Sequence, residues 1–428
     1  MENKEFFKEV FEIKEEIYEY VNKIDKNLIE KFSELDEIEE FNQLKVLKAM
    51  QDVNLAATDF AWSTGYGYGD VGREKVEKIF AKIFKAEDSL VRPAIASGTH
   101  ALALTLQGIL LPGDEVISIT DKPYDTLQSV IGISGDEVGT LKEFGISYND
   151  VPLLDGKIQI KKVLDIINSK TKMVMIQRST GYSLRNAIQI KEIKEAITEI
   201  KNIYPEVIIM VDNCYGEFTN KVEPIEVGAD LCVGSLIKNP GGGIAVSGGY
   251  IVGKEKLIQR IANRLTAPGL GKETGLSFGQ TRNMLQGLFL APKVTMQALK
   301  GALLFGNIFN SLGFETIPKV DDKRSDIIQA IIFNDPNKVI EFCRGIQEAS
   351  AVDSHVIPYP WPMPGYTDEV IMASGSFIEG SSIEISADGP LREPYVAYYQ
   401  GGLSYYQCKL AAMIVLKRLI DKKLIKIK

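Results

Sequence analysis

A chain of 428 residues, 45% of them hydrophobic, is long enough to bury a large core and to divide into two lobes. Its net charge of -8, from 49 basic and 57 acidic side chains, argues against a nucleic-acid or anionic-membrane partner and for a small metabolite. Four scattered cysteines (Cys214, Cys232, Cys343, Cys408) and two histidines, His100 and His355, fit reduced thiols rather than a disulfide framework, and no metal centre is expected.

The opening residues carry charges throughout and no uninterrupted apolar run, so neither a signal peptide nor a membrane span is expected, and the reading is cytoplasmic. Between Phe6 and about Leu47, apolar side chains at Val10, Ile13, Ile17, Val21, Ile24 and Leu28 recur at steps of three and four. This predicts an N-terminal helical arm within residues 1–60, packed on its own domain or on another subunit. In TGYGYGDVGREKVEKIF, glycines interleave with Tyr66 and Tyr68 before a helix opens near Arg73. Such a mixture suits a loop lying against a ligand or a second subunit.

The segment SLVRPAIASGTHALALTLQGILLPGDEVISI reads as strand, turn, helix, turn and strand, the alternation of an α/β sheet. At its joint, the backbone N–H groups of Gly98 and Thr99 and the hydroxyls of Ser97 and Thr99 either receive a phosphate or cap the helix; His100 orients its neighbours. Tyr124 falls in the loop after the next strand, at the carboxyl edge where open α/β sheets bind ligands, and either stacks on a flat ring or packs locally. A further buried strand, Met173 to Gln177, leads into a polar loop with Arg178, Tyr182 and Arg185. VIIMVDNCYGEF then ends a buried strand on Asp212, a carboxylate that is costly there unless it caps a turn or pairs with a cation on a ligand.

In GSLIKNPGGGIAVSGGYIVG, Lys238 follows a buried strand and precedes three glycines that permit a sharp turn or close approach to a ligand. Desolvation at such a place is expected to lower the lysine's pKa and make its amine a nucleophile toward a carbonyl. A P-loop is disfavoured, because there the lysine follows the glycines. From Phe278 to about Phe309, one long helix or two joined near Pro292 connect the lobes. Beyond residue 312, strands at Ile327–Phe333, Val370–Met372 and Ser382–Ile385 alternate with helices as a smaller α+β lobe, where Arg392 offers a planar fork to a carboxylate. A phosphate-type turn, an aromatic, an acid ending one strand and a lysine ending a later one are together what pyridoxal 5'-phosphate requires.

VDNCYGEF and GSLIKNPGGG resemble the pyridine-binding and Schiff-base motifs of fold-type I enzymes of cysteine and methionine metabolism, the methionine gamma-lyase and cystathionine lyase group. IASGTHA, QRSTGYSLR, DSHVIPYPWPMPGY, VIMASGSFIEGSSIEISADGPLREPY and YYQGGL are similar to its aluminium resistance branch, so the resemblance spans nearly the whole chain. It implies a cofactor-binding large domain over residues 61–295 with a mostly parallel seven-stranded sheet, and a smaller α+β domain over 296–428. It also implies a homodimer or homotetramer with shared active sites. By this resemblance Lys238 carries the Schiff base and shuttles protons, Asp212 pairs with the pyridine nitrogen, and Tyr124 stacks on the ring and assists the leaving group. Ser97, Gly98, Thr99 and Ser235 would hold the phosphate, and Tyr66 or Tyr68 with Arg73 would reach that of the neighbouring subunit. Arg392, Arg178 and Tyr182 are the substrate-binding candidates. The implied activity is carbon–sulfur lysis of a sulfur amino acid, with an aminotransferase, an aldolase or a non-catalytic regulator as alternatives. Ile237 stands where those lyases usually carry threonine, the Ser179–Ser183 loop stands where they carry an asparagine, and Arg73 is displaced from their tyrosine-x-arginine spacing.

Overall fold

The computed structural model describes residues 3–363 and 368–427. The N-terminal arm consists of three helices: α1 (Asn3–Phe11), α2 (Glu15–Asn27) and α3 (Ile29–Asp52). Each break resets the helical phase. Ile13, Ile17, Val21 and Leu28 therefore reach the core of the C-terminal lobe, whereas Val10, on the far side of the Glu12 turn, is 53% exposed.

After α4 (Val71–Phe84), whose first turn is capped by Asp70 accepting from the Arg73 N–H at 2.9 Å, the chain builds its large sheet. In order come β1 (Asp88–Arg92), α5 (Gly98–Ile109), β2 (Glu115–Ser118), α6 (Asp125–Ile131), β3 (Ser147–Asp150), α7 (Ile160–Ile166), β4 (Thr171–Gln177) and α8 (Ile190–Ile203). Then follow β5 (Ile208–Asp212), β6 (Leu231–Ser235), β7 (Gly249–Gly253) and α9 (Glu255–Leu265). The seven strands lie in the order β1-β7-β6-β5-β4-β2-β3, and β7 is antiparallel to both of its neighbours. Strands β5 and β6 are buried along their whole length, because helices cover both faces of the sheet. Leu90, Val233 and Ile251 pack under α5 and α9; Ile209 and Val211 pack on α8; Cys232, Tyr250 and Val252 meet Phe80 and Phe84 of α4.

Register decides what gathers at the carboxyl edge. Gln177 of β4 stands opposite Asp212 of β5, and Asp212 opposite Val233 of β6. The loops after β2, β4, β5 and β6 therefore open at one edge, where a ligand meets an open parallel sheet.

Helix α10 (Thr281–Ser311) runs unbroken through Pro292 and across residues 295–296, the expected domain boundary. It is long and apolar enough to cross a membrane by composition, but 72% of its most apolar window is buried inside the protein, the mark of a core helix. Beyond it stand β8 (Glu315–Ile317), β9 (Gln329–Ile332), α11 (Pro336–Glu348), β10 (Val370–Ser374), β11 (Ser386–Pro390), β12 (Val396–Gln400) and α12 (Tyr405–Asp421). The five strands form a second sheet, antiparallel throughout, in the order β10-β11-β12-β9-β8. The strand expected at Ser382–Ile385 is displaced to Ser386–Pro390. Glu384 instead turns its carboxylate inward to accept the N–H groups of Phe377 and Ile378, both at 2.9 Å, and holds a loop.

Candidate active site

Lys238 emerges three residues beyond β6 and lays its Nζ over the Tyr215 ring, 4.0 Å from the centroid. Tyr215 reaches that position because its backbone takes φ +70°, which turns the ring back under the lysine after Asp212 has closed β5. Lys238 retains some accessible surface, yet its amine is surrounded. Burial works against a charge there, and Cys214, Tyr215, Asp212 and Glu217 outweigh it, so the ammonium form is held above the ordinary lysine range. Burial lifts Cys214, Tyr215, Glu217 and Asp212 alike, and at Asp212 the facing Lys238 opposes that rise. The expectation of a lowered lysine pKa is therefore corrected. A strand-end position reveals depth, but it does not reveal which acids the fold brings to that depth.

The phosphate-type turn sits beside this pair. The Ser97 hydroxyl accepts from the His100 N–H at 3.0 Å and Ala101 N–H bonds the Ser97 carbonyl, so the leading N–H groups of α5 are those of Gly98 and Thr99. A Cβ on Gly98 would stand 3.3 Å from Cys214 Sγ and 3.4 Å from Ser235 Cβ, which shows how closely the helix start, the turn after Asp212 and the end of β6 converge. Thr99 Oγ1 shares a hydrogen bond with Thr126 Oγ1 at 2.8 Å, His100 Nδ1 accepts from Ala96 N–H at 3.0 Å, and Ser235 Oγ accepts from Ile237 N–H at 3.3 Å. Tyr124 caps α6, tied by its N–H to Gln177 Oε1 at 2.7 Å and packed against Gly181. It lines a cleft of about 370 Å³ together with Gln177, Gly181, Tyr182 and Arg392. A buried carboxylate, an enclosed lysine, a helix start lacking a Cβ and a flat ring fit pyridoxal 5'-phosphate.

Two expected site residues lie elsewhere. Arg178 is fully buried, and its guanidinium donates to Ser325 Oγ (3.0 Å), Asn213 Oδ1 (2.7 Å) and Thr219 Oγ1 (3.1 Å), with Glu223 at 3.6 Å. It braces the turn after Asp212 instead of meeting substrate. Arg178→Ala is expected to destabilise the fold by about 3–5 kcal/mol in denaturant unfolding, because Glu223 would be left buried without its cation. Arg392→Ala should lose less than ~1 kcal/mol, since its ion pair with Asp368 is exposed. Equal losses for the two variants would contradict this placement.

Arg73 is also turned inward. Its guanidinium donates to the carbonyls of Gly67 (2.7 Å), Gly275 (2.8 Å) and Glu273 (3.2 Å), so it anchors the tyrosine loop from beneath. Tyr66 and Tyr68 themselves remain on the surface, 74% and 63% exposed, with ring centroids 5.8 Å apart. Arg392 stays on the cleft rim with its fork 3.0 Å from Asp368, and Tyr182 packs on Tyr124 at 5.8 Å between centroids.

The sequence reading passed over Tyr215, Cys214 and Glu217, although all three lie inside VDNCYGEF. Glu217 is wholly buried, accepts from the Tyr250 hydroxyl at 2.7 Å, and burial pushes it up to about 8. A carboxyl with a raised folded pKa costs nothing below its unfolded value and an increasing amount as pH climbs toward the folded one. Stability should therefore fall as pH rises from about 4.5 to about 8, and Glu217→Gln, which keeps the shape without the titration, should flatten that fall in thermal melts. An unchanged slope in Glu217→Gln would contradict the assignment.

A mostly parallel seven-stranded sheet with one reversed strand and a small antiparallel lobe reached through a long helix make up the fold-type I architecture, the fold of pyridoxal 5'-phosphate-dependent enzymes. A pyridoxal-5'-phosphate-dependent protein of Escherichia coli shares this fold at a TM-score of 0.62 and 16% identity, over 90% of this chain and 97% of that one. Residues 17–420 match the methionine gamma-lyase family, and the chain belongs to it. It is 52% identical over 394 residues to the YnbB protein of Bacillus subtilis, covering 92% of this chain and 94% of that protein. A solved Clostridium novyi structure, named a carbon-sulfur lyase involved in aluminum resistance, is 48% identical with a TM-score of 0.94, covering 98% and 99% of the two chains. A Clostridium acetobutylicum structure also named for aluminum resistance is 47% identical with a TM-score of 0.95, over 97% and 98%.

Proposed function

We propose that this chain is a pyridoxal 5'-phosphate-dependent carbon–sulfur lyase that takes a sulfur amino acid and one water and releases a thiol, ammonia and a 2-oxo acid. The observation that carries the reading is the meeting of Lys238 and Asp212 in one buried site beside the start of α5. The names of the family and of the Clostridium novyi neighbour support it. Lys238 would hold the cofactor's aldehyde carbon and Asp212 its ring nitrogen, Gly98, Thr99 and Ser235 its phosphate, and Tyr124 one face of its ring. When bound, the group supplies an electron sink for the charge left at the substrate's Cα.

The chain's own residues handle the protons. Lys238 rests as an ammonium opposite Asp212, so a cation that claims the Asp212 carboxylate weakens the hold on that proton and frees Nζ to act as a base. The amine would then take the Cα proton, and Tyr124, which lines the cleft, would protonate the departing sulfur through its hydroxyl. Arg392 on the rim exchanges its exposed Asp368 partner for the substrate carboxylate. The exposed Tyr66 and Tyr68 loop, held by Arg73, extends to the site of a second subunit in a homodimer or homotetramer.

Supplying cysteine, cystathionine and methionine, and measuring thiol, ammonia and 2-oxo acid, tests the reading. Equal amounts of the three products are expected from at least one of them. A 2-oxo acid formed without ammonia or thiol would mark an aminotransferase instead.

A further inference from the structure

The small lobe contributes a carboxyl to this site that the reaction as described leaves unused. Asp388 lies on β11 directly across from Tyr398 of β12, so both side chains leave the same face of the small sheet. That face packs against Tyr182 and Tyr215 of the large lobe. The Tyr398 hydroxyl donates to the Tyr182 carbonyl at 2.7 Å, and the two rings lie 5.1 Å apart. The Asp388 carboxyl lies near enough to Tyr182 for that residue to hold its pKa down, and it accepts from Gln400 Nε2 at 3.2 Å. The Tyr182 ring also meets Tyr124 at the cleft, 5.8 Å between centroids.

We propose that Asp388 is a positioning residue of the lyase reading given above: from the small lobe it clamps Tyr182 against Tyr124, and so fixes the ring on which the cofactor stacks. Burial raises Asp388 to about 6, opposed by Tyr182 and by the hydrogen bond from Gln400. The titratable and charged groups that bear on it are Tyr182 from the loop after β4, Tyr215 with Lys238 above it, Cys343 of α11, and Tyr398 with Arg392 beyond β11. Above this pH the ionised carboxylate accepts the Tyr182 hydroxyl in a charge-assisted bond, and below it the clamp slackens.

The test is an absorbance titration of the purified full chain with pyridoxal 5'-phosphate across this pH range, which requires no turnover. Wild type should bind more weakly at acid pH, with an inflection near 6. The cofactor phosphate titrates in the same region, so the variants decide the matter. Asp388→Ala is expected to weaken binding about tenfold at neutral pH. Asp388→Asn, which keeps an acceptor for Tyr182, should bind within about twofold of wild type while losing the Asp388 part of the inflection. Tyr182→Phe removes the hydroxyl that holds Asp388 down and should move that inflection upward, which covers the case in which Asp388→Ala fails to fold. Wild-type affinity in Asp388→Ala, an unaltered inflection in Asp388→Asn, or an unmoved one in Tyr182→Phe would each overturn the proposal. Absence of thiol release with these affinity changes intact would overturn the lyase reading alone, and a chain that binds no cofactor would overturn both.

Discussion

Lys238→Ala is expected to reduce thiol release by at least about 1,000-fold, a loss of roughly 4 kcal/mol of transition-state stabilisation. The size follows from two duties held by one atom. Nζ both anchors the cofactor and takes the Cα proton, and the acids around it, Asp212 and Glu217 among them, cannot substitute as nucleophiles toward a carbonyl. The alanine also leaves the buried Asp212 without the cation that faces it, so the variant should melt below wild type yet remain folded at assay temperature. Lost turnover in a still-folded protein is the expected pattern, read by thermal denaturation beside the thiol assay. A small primary amine added to the buffer should restore part of the rate. A Lys238→Ala protein within tenfold of wild type would contradict the assignment.

Asp212→Asn should cost about 100-fold in rate, the scale of a lost charge-assisted hydrogen bond at about 1.5–3 kcal/mol. The carboxamide keeps the shape and can still accept the Cys214 N–H, which lies 3.1 Å from Asp212 Oδ1, but it cannot balance a positive ring nitrogen. A second consequence separates this from general damage. Asp212 and Lys238 each favour the other's charged form, so loss of the carboxyl should let the lysine release its proton at lower pH, moving the alkaline onset of cofactor attachment downward. Loss of rate with an unmoved pH profile would contradict the electrostatic role and leave only packing.

Much of this site was legible because strands buried on both faces read as apolar runs, and a polar residue ending such a run stands out. Asp212 closes β5 and Lys238 follows β6 for that reason, and Gly98 could be recognised at a helix start. What the sequence withheld was direction. Arg178 in a polar loop reads as exposed, and only the fold shows that Ser325, Asn213 and Thr219 take its donors. Arg73 turned inward for the same kind of reason, its partners Gly275 and Glu273 being remote in sequence. Tyr215 was hidden because its role depends on a left-handed backbone angle, and Asp388 because a cross-strand register with Tyr398 brings it to the large lobe. The two breaks within the helical arm were not legible, because a period of three to four residues does not show where a short turn resets the phase.

The central claim is that Lys238 forms the covalent link to pyridoxal 5'-phosphate, and borohydride reduction of the wild-type protein supplied with that cofactor tests it most directly. Peptide mass mapping should find the reduced adduct on the peptide containing Lys238 and nowhere else. An adduct confined to another lysine, or no adduct in a folded and cofactor-saturated protein, would contradict the account.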